Sequence, residues 1–128
     1  MAVAASALKA QQSRMRVIAE NIANAQSTAL TPGGEPYRRQ IPVFQAREIN
    51  GMTGVTLAEV RPDQGDFNSE YDPSHPAANA QGYVLRPNVN TLVEAMDMRE
   101  AQRAYEANLN VIETARSMDT RTLDLIKK

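Results

Sequence analysis

The chain has 128 residues and a formal net charge of −1, a size that admits one domain of ordinary dimensions. With two Phe, four Tyr and no Trp, bulky core side chains are scarce, so seams between helices are expected in place of one thick core. Charge is even along the chain, +2 over residues 1–30, −2 over 31–90 and −1 over 91–128, which excludes a basic patch for nucleic acid or a membrane surface.

Cysteine is absent, which removes disulfides, thiolate metal sites and thiol catalysis together. Residues 1–9 lack the basic n-region and long apolar h-region of a cleavable secretory signal. No run approaches the roughly 18 apolar residues that a membrane span needs.

Residues 2–27 read as helix. Ala4, Leu8, Gln11, Met15, Ile18, Ile22 and Ala25 step by three and four, Ala19 widens the face, and neither Gly nor Pro interrupts the run. Such a helix spans roughly 39 Å and needs a partner for its apolar face. Asn21 and Asn24 sit one turn apart near its end. They read either as ordinary polar positions, with Asn24 at a C-cap, or as buried amides that set helix register against a partner.

Thr31-Pro32-Gly33-Gly34-Glu35-Pro36 is a turn-rich break. Tyr37-Arg38-Arg39 follows, either a solvated edge or a contact for an acidic neighbour. Residues 41–49 and 55–60 read as strands, joined through the positive-φ turn signal Asn50-Gly51, with Pro42 confining the first to an edge. Residues 61–82 show no periodicity and read as an irregular extended loop. Tyr83-Val84-Leu85-Arg86 is a short extended run before Pro87.

Residues 91–127 read as a long helix of roughly 55 Å. Thr91 and Glu94 fit a capping box. The stripe Met98, Ala101, Tyr105, Asn108, Ile112, Ala115, Asp119, Thr122, Ile126 steps by three and four, with Ala104, Val111, Met118 and Leu125 beside it at sevenfold spacing. Polar residues dilute this heptad pattern, which suits assembly conditional on several neighbours. Met15, Met96, Met98 and Met118 can adapt to imperfect surfaces.

Catalytic constellations do not rise above background. Asp72, Ser74 and His75 are adjacent in a loop, a poor setting for triad geometry. The lone His and absent Cys give no zinc set, and Asp63, Asp66, Glu70 and Asp72 do not follow a calcium-loop order. No cofactor, metal or small-molecule substrate is expected.

Three stretches together carry a family resemblance. Ala19-Glu20-Asn21-Ile22-Ala23-Asn24-Ala25, with Pro36-Tyr37-Arg38-Arg39 after the loop, resembles the N-terminal signature of the flagellar rod, hook and hook-associated proteins. Tyr71-Asp72-Pro73-Ser74-His75-Pro76, Gly82-Tyr83-Val84 and Pro87-Asn88-Val89-Asn90 resemble the centre of a short rod member of that family. Arg103-Ala104-Tyr105-Glu106-Ala107-Asn108 is similar to its C-terminal signature. Relative to the family's usual start the sequence begins a few residues late, and it ends on Lys127-Lys128.

The resemblance implies a mainly α fold with a small β insert. Long N- and C-terminal helices pack as a coiled-coil-like pair, with a β-hairpin and an irregular extended loop between them. Residues 1–30 and 91–128 would form an inner helical domain and 31–90 the loop and β-rich insert. It further implies a structural subunit of the basal-body rod in the periplasm, exported through the flagellar type III apparatus without a cleavable signal. The partners implied are other copies of the chain, proximal and distal rod proteins, and rod-base adaptor and export-gate proteins. The expected interface residues are Leu8, Met15, Ile18, Asn21, Ile22, Asn24, Ala101, Tyr105, Asn108, Ile112 and Ala115. The competing readings are a self-contained helical-hairpin adaptor or chaperone of the export system, and an enzyme using His75.

Overall fold

A computed structural model describes residues 2–127. Helix α1 (Ala2–Ala23) is followed by strands β1 (Gln40–Ile49), β2 (Met52–Pro62), β3 (Asn68–Tyr71) and β4 (Tyr83–Arg86), and by helix α2 (Thr91–Lys127). Strands β1 and β2 pair as one antiparallel hairpin, and β3 and β4 as a second, separate antiparallel ladder. The architecture is the expected one, two long terminal helices around a small β insert.

Local sequence accounts for most boundaries. Alanine-rich, glycine-free sequence carries α1 to Ala23. At its end Asn24 donates its side-chain amide to the Glu20 carbonyl at 2.9 Å and accepts from Ser27 Oγ at 3.2 Å. The hairpin turn has positive φ at both Asn50 (51°) and Gly51 (79°), the backbone that a tight two-residue connection requires. The register slips once, between Val43 and Phe44, where the unmatched Ala58 makes a bulge.

Two expectations need amending. Strand β2 runs further in both directions than 55–60, because once Asn50-Gly51 sets the turn, every residue of β1 finds a partner out to Pro62. The loop over 61–82 is mostly irregular but contains β3, which pairs Asn68–Tyr71 with Arg86–Tyr83. That ladder is closed by an edge-to-face contact of Tyr71 on Tyr83, ring centroids 5.2 Å apart.

The helices run antiparallel. Leu8 lies near Ile112, Arg14 meets Glu100 at 3.5 Å, and Asn21 and Glu94 face one cleft. Residues Glu94, Ala101 and Ile112 of α2 are buried against α1, with Met98, Tyr105, Asn108 and Ala115 half-buried beside them. The core is thin and built largely from small side chains, with Ala10, Ala25, Ala77 and Ala101 joining Val17, Ile18, Val84, Val89 and Ile112. Small residues of the helices, Ala10 on α1 and Ala101 on α2, let neighbouring elements approach closely, so the core stays thin.

The buried face of α1 is rotated from the predicted stripe. Val17 is 1% exposed whereas Ile22 is 38% exposed. The reason is a second neighbour: Ser6, Ala10 and Ser13 form another row at helical spacing, and this row lies against the hairpin. Ser6 Oγ accepts the Val55 N–H at 3.2 Å. Gly54 is buried here, and a Cβ at that position would come within 2.5 Å of Ile49 Cδ1 and 2.8 Å of Ser6 Oγ. A side chain at this position would force Ile49 and Ser6 to move, so glycine suits the close approach of β2 to α1.

Candidate assembly interface

A polar clamp ties the β insert to both helices, and Asn21 is its centre. Its side chain is 1% exposed. Its Nδ2 donates to the Gln40 carbonyl at 2.9 Å, and its Oδ1 accepts from the Gln40 N–H at 2.9 Å and from the Tyr37 hydroxyl at 2.7 Å. The amide thus pairs with the first residue of β1 as a neighbouring strand would. Burial, then the negative charges of Glu20 and Glu94, push the Tyr37 phenol above its ordinary pKa, so it remains a donor.

Arg39 is the second anchor. Its N–H donates to Asn88 Oδ1 at 2.8 Å, and its guanidinium binds the buried Glu94 carboxylate and reaches Asp63 at 3.3 Å. Burial alone would pull this guanidinium down. The Glu94 hydrogen bond and the charges of Glu94 and Asp63 more than offset it and hold the group above its ordinary pKa. The Gly65 N–H, with Arg39 beside it, holds the Asp63 carboxyl below its ordinary pKa. Arg38 donates to the carbonyls of Asp63 (2.7 Å) and Gly65 (2.9 Å), and its guanidinium stacks 4.1 Å from the Phe67 ring centroid. Tyr37-Arg38-Arg39 is therefore no solvated edge. Its acidic neighbours are Glu94 and Asp63 of the same chain.

Glu94 does not close a capping box. Asn90 caps α2, accepting the N–H groups of Leu92 (3.1 Å) and Val93 (3.3 Å) on Oδ1. Freed from that duty, Glu94 turns inward to Arg39. The competition is decided by charge: a half-buried guanidinium needs a carboxylate more than a helix end needs a second cap.

The expected interface residues separate into groups. Leu8, Met15, Ile18, Ala101, Tyr105, Asn108, Ile112 and Ala115 come together along the α1–α2 seam, buried or half-buried. Asn108 donates to the Ala104 carbonyl one turn back, at 2.9 Å. Asn21 belongs to the clamp, Asn24 ends α1, and Ile22 faces outward. Glu94 and Gln40 were missed. Glu94 was hidden by its fit to a capping pattern, and Gln40 acts only through its backbone.

The exposed surface lies elsewhere. Past Ala115, α2 continues to Lys127, and every residue from Arg116 to Lys127 is exposed among the described residues. Met118, Leu123, Leu125 and Ile126 are 55–74% exposed on this segment, and Val111, one turn before it, is 57% exposed. The heptad row Val111–Met118–Leu125 is therefore an apolar face that is uncovered among the described residues.

The His75 loop has no catalytic shape. Ser74 Oγ donates to Asp72 at 3.0 Å, while His75 Nδ1 accepts the Ala77 N–H at 3.0 Å. These bonds shape a turn and leave Ser74 unconnected to the imidazole. Among the described residues no three His, Asp or Glu side chains converge as a metal set, and no helix is long and apolar enough to cross a membrane.

A paired helical layer, a clamped β insert and a free apolar helix end describe a building block. Similar sequences cover nearly the whole chain. The chain is 47% identical to the flagellar basal-body rod protein FlgC of Agrobacterium fabrum, over 98% of this chain and 91% of the relative. The chain belongs to the FlgC family of flagellar basal-body rod proteins. Identity is 42% to FlgC of Escherichia coli O157:H7 (96% and 92% covered) and 37% to FlgC of Bacillus subtilis (98% and 95%). Residues 1–29 match the family described as flagella basal body rod protein, and residues 80–125 the C-terminal family of the flagellar basal body rod FlgEFG proteins. In FlgC terms, the two matched segments cover all of α1 and almost all of α2, the elements that form the helical layer.

Proposed function

We propose that this chain is a structural subunit of the flagellar basal-body rod, which assembles helically and transmits torque from motor to hook. The observation that carries the reading is the join of family membership with an unpartnered end of α2. A shaft under torsion must not slip. Long helices packed side chain into groove with several neighbours meet that demand, and the clamp keeps the β insert from swinging on its helices. No catalytic step is part of the role.

The finer assignments belong to the same proposal. The partners are further copies of the chain, other rod proteins, and the adaptor and export-gate proteins at the rod base. The site is the periplasmic part of the basal body. Residues 1–30 and 91–128 would line the inner wall, and 31–90 would face outward.

An adaptor of the export system would also pack α1 on α2 within one chain, so that seam does not separate the two roles. The long free end of α2 does, because an adaptor complete as a monomer has no need of it. Deleting the gene in a flagellated cell tests the reading. Basal bodies lacking a complete rod, with swimming restored by the intact chain, are expected. Normal rods in the deletion strain would overturn it.

A further inference from the structure

A cleft of about 360 Å³ opens where α1, β1 and α2 meet, with Ile18, Pro42 and Phe44 as apolar walls and Gln11, Glu94 and Asp97 as polar ones. Two acceptors there are buried without a partner, Gln11 Oε1 and Glu94 Oε2. Glu94 is 1% exposed, and only its other oxygen is bound by Arg39. Asp97 is half-buried at the rim and takes part in no ion pair among the described residues. The cleft's two cations are occupied, Arg14 with Glu100 and Arg39 with Glu94 and Asp63. Acceptors in excess inside a partly apolar cleft call for a cationic donor with apolar flanks.

The far end of α2 carries that donor. Arg121 is exposed and without an ion pair among the described residues. It lies one turn from Met118 and one turn from Leu125, which are 62% and 74% exposed. Glu94 and Arg121 are separated by roughly 40 Å along one straight helix, so no chain can fill its own cleft.

We propose that the cleft receives Arg121 of a second copy of this chain. The free end of α2 in one subunit then docks on the α1–β1–α2 junction of the next. This rests on the rod reading and adds the contact that joins neighbouring copies. Receptor and plug are different surfaces, so the contact is heterologous and propagates.

The chain has no cysteine, so paired Asp97→Cys and Arg121→Cys substitutions report the contact directly. Within one chain the two positions lie about 36 Å apart along α2, far beyond the roughly 7 Å limit for Cα atoms in a disulfide. Any disulfide is therefore between copies. Basal bodies isolated from cells making the double variant are expected to yield dimers and higher multimers on oxidation, and those with either single variant only monomer. Asp97→Arg is expected to lower incorporation at least tenfold, and adding Arg121→Asp to restore it.

An incorporated double-cysteine chain that stays monomeric on oxidation overturns the proposal, as do equal dimers from one single variant. Should the double-cysteine chain fail to incorporate, the charge swap decides: lost incorporation that Arg121→Asp does not restore places a different donor in the cleft and also overturns it. Absence of the unsubstituted chain from basal bodies would instead remove the rod reading beneath it.

Discussion

At the scale of single residues, the clamp turns side chains usually assigned to surfaces into core. Asn21 makes three hydrogen bonds within the chain. Asn21→Leu strands the Gln40 backbone groups and the Tyr37 hydroxyl in a buried site, at a cost of about 2–4 kcal/mol. From sequence alone, a buried amide here would set helix register against a partner. The structure instead predicts lost stability of the isolated chain, measurable by urea denaturation. An unchanged midpoint would show that the clamp contributes nothing. Asp63 predicts a pH effect. Its carboxyl is depressed in the fold by the Gly65 N–H and Arg39, so its stabilisation is present above the unfolded value of about 3.9 and is lost as pH falls through the lower folded value. Stability should fall between pH 4 and lower values, and Asp63→Asn should flatten that fall. Because Asp63 is partly exposed, the effect is small, about 1 kcal/mol or less. An identical pH profile in the variant would remove Asp63 from the account.

At the scale of elements, α2 is two helices in one. The part up to Ala115 is covered by α1, and the final third, residues 116–127, is bare. Ending the chain after Ala115 should therefore move the melting temperature little, by about 2–4 °C, while abolishing incorporation into basal bodies. Calorimetry and immunoblots of isolated basal bodies check the two halves of that statement. A much larger thermal shift would mean that the free end stabilises the monomer. Helix α1 differs, because it is covered on two flanks. Its periodicity indicated the α2-facing row of Leu8, Gln11, Met15 and Ile18. The second row, Ser6, Ala10 and Ser13, is polar or small and carries little hydropathic signal, so the hairpin's seat on α1 was not visible from pattern. The same holds for β3, four residues whose strand character comes only from its pairing with β4.

At the scale of the whole molecule, order should decline from the clamp outward. Amide exchange should be slowest around the buried residues Val17 of α1, Val84 of β4 and Ala101 of α2, and fastest over residues 116–127. Mass spectrometry of the exchanging monomer tests this, and early protection of 116–127 would contradict it. The sequence by itself determined the two terminal helices, the turn at Asn50-Gly51 and the absence of bulky core residues, because periodicity, positive-φ chemistry and composition are local properties. Through Asn21-Ile22-Ala23-Asn24 and its companion stretches it also pointed to the rod proteins. Only the tertiary structure decided that Asn21 and Arg39 are spent inside the chain, that Glu94 leaves its cap for a half-buried cation, and that the overhang of α2 falls past Ala115. Each of these depends on which groups meet across long sequence separations, and the desolvation cost of an unpaired polar group, which selects among those meetings, is felt only once the chain has closed around it.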